Sequence, residues 1–333
     1  MILTYKVKHC EDFSRELALA KKVAEYSLEH KSLTSKDVKH LGLKSIISNQ
    51  ILRKYSRNKK IKRISSVKLI VPSAGIKHNQ TDNEIYLPCL KKTFKIEFSG
   101  FTKINMIEID NEYYYVSVSF KEKPQLVPES FYGVDRNTTG HTIVASNPST
   151  GKVIKMGKKC LHIHKKYSHI RKFFQKKGLY GMVKKIKDRE SRIIRSLNHQ
   201  MSSNLVKQCI SQKSGLVLEN LKGIRKQAKK SVKSFRYSLT SWSFYQFEQM
   251  LEYKAKLQGI PIFYIEPQYT SQQCSKCGHI EKSNRDKKVF ACKNCGHVEN
   301  ADVNAGFVIA CRHTDIFQFN IDRDILKGST DTP

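Results

Sequence analysis

Apolar residues in the first 56 positions of the chain recur mostly at helical spacing. A short alternating run at residues 1–9 predicts a strand, and helical periodicity follows in "FSRELALAKKVAEYSLEH" and "GLKSIISNQILRKY". Thr34 and the polar residues after it are typical of a helix N-terminus, so we expect a helix to begin there. Two helices around a turn at Gly42, followed by a basic end, resemble a helix-turn-helix, and a plain helical hairpin fits the periodicity equally well.

Residues 64–120 change to the pattern of strands. Five segments carry β-branched and aromatic residues between turn signals: "VKLIVPSAG", "NEIYLPCL", "TFKIEF", "INMIEID" and "EYYYVSVSF". Short strands at this spacing predict a small β-barrel. The proline-containing segment "KEKPQLVPES" at 121–130 indicates a linker.

From residue 131 onward the pattern is that of a mixed α/β domain. Strands at "FYGVDRN" and on both sides of "NPSTG" precede basic helices at 160–212, and the strand "GLVLEN" follows them. An amphipathic helix, the strand "IPIFYIEP" and the helix "ADVNAGFVIACR" complete the order, which is that of an RNase H-like fold. The predicted divisions are a barrel (1–10 and 61–128), a helical insert (11–60), the α/β domain (130–314), a cysteine-rich insert (270–299) and a tail (315–333).

The charge of the chain indicates a polyanionic partner. It has 61 Lys and Arg against 29 Asp and Glu, a formal charge of +32, and such a surplus repels itself unless it is compensated. Nucleic acid fits best, with a ribosomal or membrane-surface role as the alternatives. Three basic runs have the composition of solvated helix faces and also of phosphate-binding surfaces. Their candidate contact residues are Lys54, Arg57, Lys59, Lys165, Lys166, Arg171, Lys172, Lys176, Lys177, Arg225, Lys226, Lys229 and Lys230.

Localisation is expected to be intracellular, in the cytoplasm or with the nucleoid. The chain has no apolar run of membrane-spanning length, and its first residues become charged too early for a signal peptide. Five cysteines are scattered without pairing spacing, which favours a reducing compartment. They are Cys10, Cys89, Cys160, Cys209 and Cys311.

The other four cysteines have the spacing of a metal site. They form two C-x-x-C pairs, each followed by glycine: Cys274, Cys277, Cys292 and Cys295. Four converging thiolates suit a structural Zn²⁺ ion, in an arrangement known as a zinc ribbon. A redox pair or two disulfides are the alternatives, and a reducing compartment disfavours both. His279 and His297 follow the two pairs and are expected to be surface histidines.

Three carboxylates lie at the ends of predicted buried elements: Asp135, Glu219 and Asp302. Two-metal phosphodiester cleavage needs carboxylates that converge from different elements, and Mg²⁺ or Mn²⁺ would be held by oxygen ligands. Each acid alone could be an edge residue facing solvent, but all three occupy suitable places in one fold order. Glu266 also ends a strand and is the nearest competitor. Asp110 and Glu112 lie at a hairpin, where solvent exposure explains them.

Several sequence blocks resemble the TnpB/OrfB family of insertion-sequence proteins, which are relatives of the type V CRISPR effectors. The blocks occur in the family's order, and the resemblance is nearly complete from 130 to 311. They are "GVDRN", "LVLENLKGIRK", "WSFYQFEQMLEYKAKLQGI", "YTSQQCSKCG" and "ENADVNAG". Before residue 130 the resemblance is looser, and there it implies a wedge barrel with a helical recognition insert.

The resemblance implies an RNA-guided DNA endonuclease encoded by a transposable element. Asp135, Glu219 and Asp302 would be the metal-binding catalytic acids of a RuvC-like nuclease domain. The implied partners are a guide RNA from the transposon end and target double-stranded DNA beside a short adjacent motif, with a monomer favoured. Arg285 and Asn304 match family positions and would contact nucleic acid near the scissile strand.

The chain departs from the family's pattern at several points, and other functions remain as alternatives. Arg136 and Asn137 replace a commoner apolar-Gly pair, "NAGFVIA" lacks an Asn often found in the family after this run, and the recognition part is short. The alternatives are a nuclease-silent RNA-guided repressor, an accessory transposase-associated DNA-binding protein and a zinc-ribbon transcription or ribosomal factor. His162, His164 and Tyr167 suggest a relaxase-like transposase, but that chemistry needs the histidines on a strand.

Overall fold

The structure, a computed structural model, describes residues 1–221 except 57, 59, 60 and 62, together with 244–314 and 330–331. The chain divides into two compact units, Met1–Lys121 and Glu122–Pro333. Within the described ranges, no helix combines the length and the apolar character that crossing a membrane requires.

The first unit combines two helices with two antiparallel sheets. Strands β1, β7, β6 and β2 pair in that order, and β3, β4 and β5 form a second sheet. Alternate residues of β7 are buried, as expected for a sheet with one face on a core. The elements are β1 (Ile2–Lys8), α1 (Ser14–His30), α2 (Ser45–Tyr55), β2 (Leu69–Pro72), β3 (Lys77–Asn79), β4 (Glu84–Leu87), β5 (Lys92–Lys95), β6 (Lys103–Ile109) and β7 (Tyr113–Ser119).

The helix predicted to begin at Thr34 is absent from the structure. The Thr34 hydroxyl accepts a hydrogen bond from the backbone N–H of Lys36 at 3.3 Å, which favours a local turn over a helix N-terminus. The segment then forms only a short 3-10 helix, Lys39–Leu41, which ends at Gly42 with φ 77°. The two α-helices of this region are therefore α1 and α2, and they pack against each other.

The predicted strands of residues 64–120 are confirmed, with β3 as an additional strand that the pattern did not indicate. Together with β1 they form two separate sheets, of four and three strands. A closed barrel therefore stays a prediction.

The second unit has the element order that the sequence predicted from residue 131 onward. Its elements are β8 (Ser130–Arg136), β9 (Ile143–Ser146), β10 (Val153–Met156), α3 (Lys158–Lys176), α4 (Tyr180–Ile186), α5 (Arg189–Ser211), β11 (Ser214–Glu219), α6 (Phe244–Gln258), β12 (Ile262–Ile265), β13 (Arg285–Asp286), β14 (Val289–Ala291), β15 (Val298–Asn300), α7 (Ala301–Thr314) and β16 (Thr330–Asp331).

One six-stranded mixed sheet organises this unit. Its order is β12, β11, β8, β9, β10 and β16. Strands β8, β9 and β10 are antiparallel neighbours, whereas β11 is parallel to both β8 and β12. Strands β13, β14 and β15 form a small separate sheet beside the cysteines.

The two faces of the large sheet are covered by different helices. Side chains such as Tyr132 and Val134 of β8 and Leu216 and Leu218 of β11 share a core with α3, α5 and α6. On the other face, Val144 packs with Val303 and Phe307 of α7. Since side chains alternate along a strand, Asp135 and Glu219 project to the face of α7.

Candidate active site and cysteine cluster

Two glycines bring helix α7 against strand β8. A Cβ atom on Gly133 would lie 2.0 Å from the carbonyl oxygen of Gly306 and 2.4 Å from the nitrogen of Ala310. Such an approach is possible only without a side chain. Asp135 lies two residues after Gly133, and Asp302 lies one helical turn before Gly306, so the same contact brings both acids to one end of the sheet.

Asp135 is a buried carboxylate in a negative environment. The Nδ2 of Asn137 donates a hydrogen bond to its Oδ2 at 2.8 Å, and two other acids, Glu219 and Asp302, act on its carboxylate. Burial, followed by the charges of Glu219 and Asp302, raises the pKa of Asp135 from 3.8 to about 7, against the lowering influence of Asn137 and Arg285. These influences show that the three predicted acids lie close enough to interact.

Glu219 ends strand β11 and is held at both its side chain and its backbone. The hydroxyl of Thr270 donates to Oε1 at 2.6 Å, and the guanidinium of Arg136 donates to the Glu219 carbonyl. Arg136 also pairs with Glu248 of α6, with 2.5 Å between Nη1 and Oε2. Burial raises the pKa of Glu219, although the Thr270 hydrogen bond and the charges of Arg136 and Arg312 counteract it.

Asp302 lies in the first turn of α7, where Asn300 caps the helix. The side-chain oxygen of Asn300 accepts hydrogen bonds from the backbone N–H groups of Asp302, at 3.1 Å, and Val303, at 3.3 Å. Two cations from the neighbouring small sheet contact the carboxylate. Arg285 Nη2 lies 3.1 Å from Oδ1, and Lys288 Nζ lies 2.5 Å from Oδ2.

The three carboxylates have the donor chemistry of a divalent-cation site. They share one face of the sheet, and among the described residues neither Asp135 nor Glu219 has a cationic side chain within 4.0 Å. A bound cation would compensate the charges of Glu219 and Asp302, which add to the effect of burial in raising the pKa of Asp135. Among the described residues, the three acids do not all bring ligand oxygens within 4.8 Å of one another.

The four predicted cysteines converge and could hold a metal. Their Sγ atoms all lie within 4.8 Å of one another, with 3.7 Å between Cys274 and Cys295 and 3.6 Å between Cys277 and Cys292. Gly278 and Gly296, with φ of 75° and 70°, form the turns that bring each pair together. In the described ranges this is the one cluster of three or more His, Cys, Asp or Glu residues with ligand atoms this close.

Asn304 connects the cysteine-rich insert to α7. It is completely buried, its side-chain oxygen accepts from the backbone N–H of Ser275 at 3.0 Å, and its amide donates to the Gln273 carbonyl at 2.8 Å. The structure therefore gives Asn304 a positioning role inside the chain, which differs from the predicted contact with nucleic acid. Arg285, by contrast, is half-buried beside Asp302.

The predicted basic contact residues fall into three groups. Five are exposed at α3 or directly after it: Lys165, Lys166, Lys172, Lys176 and Lys177. Two form ion pairs within the chain, Lys54 with Glu108 at 3.0 Å and Arg171 with Glu190. The others lie outside the described residues: Arg57, Lys59, Arg225, Lys226, Lys229 and Lys230.

Competing residues occupy less suitable places. Glu266 is exposed, and Asp110 accepts hydrogen bonds from the backbone of Glu112 and Tyr113 at the hairpin between β6 and β7. His162 and His164 lie on helix α3, which removes the strand that a relaxase-like site requires.

Four residues that support the site were not predicted from the sequence. Thr270 lies within the block "YTSQQCSKCG" that resembles the family. Arg136 and Asn137 were recognised only as departures from the family, but they directly follow Asp135 in the sequence, and this adjacency was a usable signal. Lys288 gave no signal, because it is one lysine among many in a basic chain.

The chain resembles a known family in sequence. A family model described as "Cas12f1-like, TNB domain" matches residues 244–309. A TnpB-like protein of Methanocaldococcus jannaschii is 30% identical over 190 residues, which are 54% of this chain and 68% of that protein. A CRISPR-associated endodeoxyribonuclease Cas12f1 of Sulfoacidibacillus thermotolerans is 33% identical over 135 residues, covering 40% of this chain and 30% of the relative.

The fold is shared with a solved Cas12f1. In a cryo-EM structure of a Cas12f1–sgRNA–target DNA complex, the protein aligns with 90% of this chain and 82% of its own length, at a TM-score of 0.56 and 15% identity. The chain belongs to the TnpB/OrfB family, which is related to the type V effectors.

Proposed function

We propose that this chain is an RNA-guided DNA endonuclease encoded by a transposable element. The second unit would be an RNase H-like, RuvC-type nuclease domain with an inserted zinc ribbon, and the first unit a wedge barrel with a helical recognition insert. The observation that carries the proposal is the convergence of Asp135, Glu219 and Asp302, in which burial and then the charges of the other two acids raise the pKa of Asp135. Relatives named endodeoxyribonuclease and "putative RNA-guided DNA endonuclease InsQ", the latter from Escherichia coli, support it.

Asp135, Glu219 and Asp302 would hold two Mg²⁺ or Mn²⁺ ions. Such ions supply an activated water and stabilise the charge that develops on the phosphodiester during hydrolysis. Asn137 and Thr270 hold the carboxylates of Asp135 and Glu219 in place through hydrogen bonds. Because Gly133 and Gly306 fix α7 against β8, the acids are oriented by the fold itself.

Guide RNA and target double-stranded DNA are the proposed partners. Exposed lysines lie along α3, and the formal net charge of the chain is +32, which suits simultaneous contact with two nucleic acids. In such a division of labour, base pairing with the guide selects the target, and the protein contacts the backbone and a short adjacent motif. The guide would derive from the transposon end, and the protein would act as a monomer.

Zn²⁺ is the proposed occupant of the cysteine cluster. A tetrahedral site with Zn–S bonds of about 2.3 Å places its sulfur atoms about 3.8 Å apart. The separations of 3.6 and 3.7 Å between the paired sulfur atoms in the structure agree with that geometry. A closed four-thiolate site leaves no position for substrate, so the zinc would be structural.

A nuclease-silent repressor or an accessory transposase-associated protein is less well supported. Silencing in such a fold would come from loss of an acid, and this chain retains all three, at buried positions.

The proposal is tested by sequencing the RNA that co-purifies with the protein. A discrete RNA that ends in variable flanking sequence is expected, and the loaded protein should then cut matching DNA in the presence of Mg²⁺ or Mn²⁺. Random or absent RNA, together with no cutting by the protein loaded with the transcribed transposon end, would contradict the proposal.

A further inference from the structure

Asp302 differs from the other two acids because two cationic side chains of the described residues contact its carboxylate directly. Arg285 of β13 and Lys288 of the turn between β13 and β14 each contact one of its two oxygens. The Asp302 side chain is 6% exposed, so these two cations compensate a nearly buried charge. Asp135 and Glu219 have no such ion pair with any described residue.

The two cations are held differently. The Nε of Arg285 donates to the carbonyl of Lys287 at 3.1 Å, so the guanidinium is also fixed to its own hairpin. The ammonium of Lys288 reaches Asp302 Oδ2 at 2.5 Å and the carbonyl of Thr139 at 3.1 Å, in the turn after β8. The Lys288 side chain is 39% exposed, so it can leave these two acceptors for solvent without crossing packed protein.

A divalent cation at the three acids would need lone pairs on Asp302 Oδ2. In the structure, this oxygen accepts a hydrogen bond from the ammonium of Lys288. The ammonium and the metal ion carry charge of the same sign, and each lies within about 3 Å of a carboxylate oxygen that it contacts. Simultaneous occupation of Oδ2 would bring two cations together at a buried site, which is costly.

We propose that Lys288 is an internal competitor of the divalent cation. It neutralises Asp302 in the metal-free protein and must swing away from Oδ2 before the metal binds there. Lys288 would thus be a positioning residue that raises the divalent-cation concentration needed to fill the site. This inference rests on the proposed function, because it takes Asp302 as a metal ligand.

The test is titration of the zinc-loaded full chain, free of nucleic acid, with Mn²⁺ in a calorimeter. Lys288→Gln should bind Mn²⁺ about tenfold more tightly than the unmodified chain, the effect of losing one competing charge-assisted hydrogen bond. Lys287→Gln is the matched control, since it removes the same charge from an exposed neighbour. It should change the affinity by less than about twofold, because exposed charges are screened.

Further variants keep the outcomes distinct. Lys288→Met should show the same increase in Mn²⁺ affinity as Lys288→Gln, whereas Lys288→Arg should not, because it retains a cation. Circular dichroism verifies that each variant is folded. Equal affinities for Lys288→Gln, Lys288→Met and Lys287→Gln would overturn the proposal. Asp302→Asn should weaken Mn²⁺ binding. If it does and the lysine variants bind no more tightly, only the role of Lys288 fails; if Asp302→Asn binds normally, the proposed metal site fails as well.

Discussion

The side-chain oxygen of Asn304 accepts a hydrogen bond from the backbone N–H of Ser275 at 3.0 Å. Ser275 lies between the first two cysteines of the cluster, and Asn304 lies two residues after Asp302 on α7. The contact therefore links the cysteine cluster directly to the helix that carries one of the three acids. Through it, an insert that contributes no carboxylate to the site can still determine where Asp302 lies.

Replacing Asn304 should destabilise the second unit. Asn304→Ala leaves the N–H of Ser275 and the carbonyl of Gln273 without their buried partner, at a cost of about 2–4 kcal/mol. Denaturant unfolding of the zinc-loaded chain measures the loss, and Asn204→Ala, at an exposed position of α5, is the control. Equal stability of the two variants would show that the link contributes nothing.

The metal-free protein should lose stability as pH rises toward neutrality. Because the pKa of Asp135 is about 7 in the folded chain and 3.8 ordinarily, the folded state binds more protons between these values. The free energy of unfolding should therefore fall from about pH 4 to about pH 7, by at most about 4 kcal/mol from this group.

Asp135→Asn tests whether the pH dependence of stability comes from Asp135, because an amide does not ionise in this pH range. Without added Mg²⁺ or Mn²⁺, the variant should be more stable than the parent chain at pH 8 and should differ little from it at pH 4. Asp188→Asn, at an exposed carboxylate, should leave the pH profile unchanged. If the free energy of unfolding of Asp135→Asn fell with pH as steeply as that of the parent chain, the pH dependence would come from other groups.

Arg136 and Glu248 should be strongly coupled. The Arg136 side chain is 0% exposed, so Arg136→Met leaves Glu248 as an unpaired, largely buried charge and should cost about 3–5 kcal/mol. The double variant with Glu248→Leu should recover much of that loss. The exposed pair Lys213–Glu129 offers a control, in which Glu129→Gln should cost less than about 1 kcal/mol. Additive effects in the Arg136–Glu248 cycle would refute the coupling.

Loss of a thiolate should affect metal content and stability together. Cys277→Ser should reduce the bound zinc measured by atomic emission and lower the Tm by at least about 5 °C. Cys10→Ser, at an exposed cysteine of the first unit, should change neither quantity. An unchanged Tm and metal content in Cys277→Ser would argue against a structural metal.

The sequence predicted elements and candidate residues better than it predicted their partners. Strand-end position was enough to select Asp135 and Glu219, because alternation along a strand is a local property. The contacts of Lys288 with Thr139 and of Arg136 with Glu248 join residues 149 and 112 positions apart, and no local pattern reports them. The local signal at Thr34 was misleading. A threonine whose hydroxyl accepts a hydrogen bond within a turn gives the same sequence pattern as one that caps a helix.

The most direct test of the proposed nuclease is DNA cleavage by Glu219→Gln, with the guide RNA bound and Mg²⁺ present. The substitution removes the charge of a buried acid and keeps its size, so cleavage should fall at least about 100-fold while RNA and DNA binding persist. Glu266→Gln, at the exposed end of the neighbouring strand β12, should cut normally. Cleavage by Glu219→Gln at the rate of the unmodified protein would contradict the account.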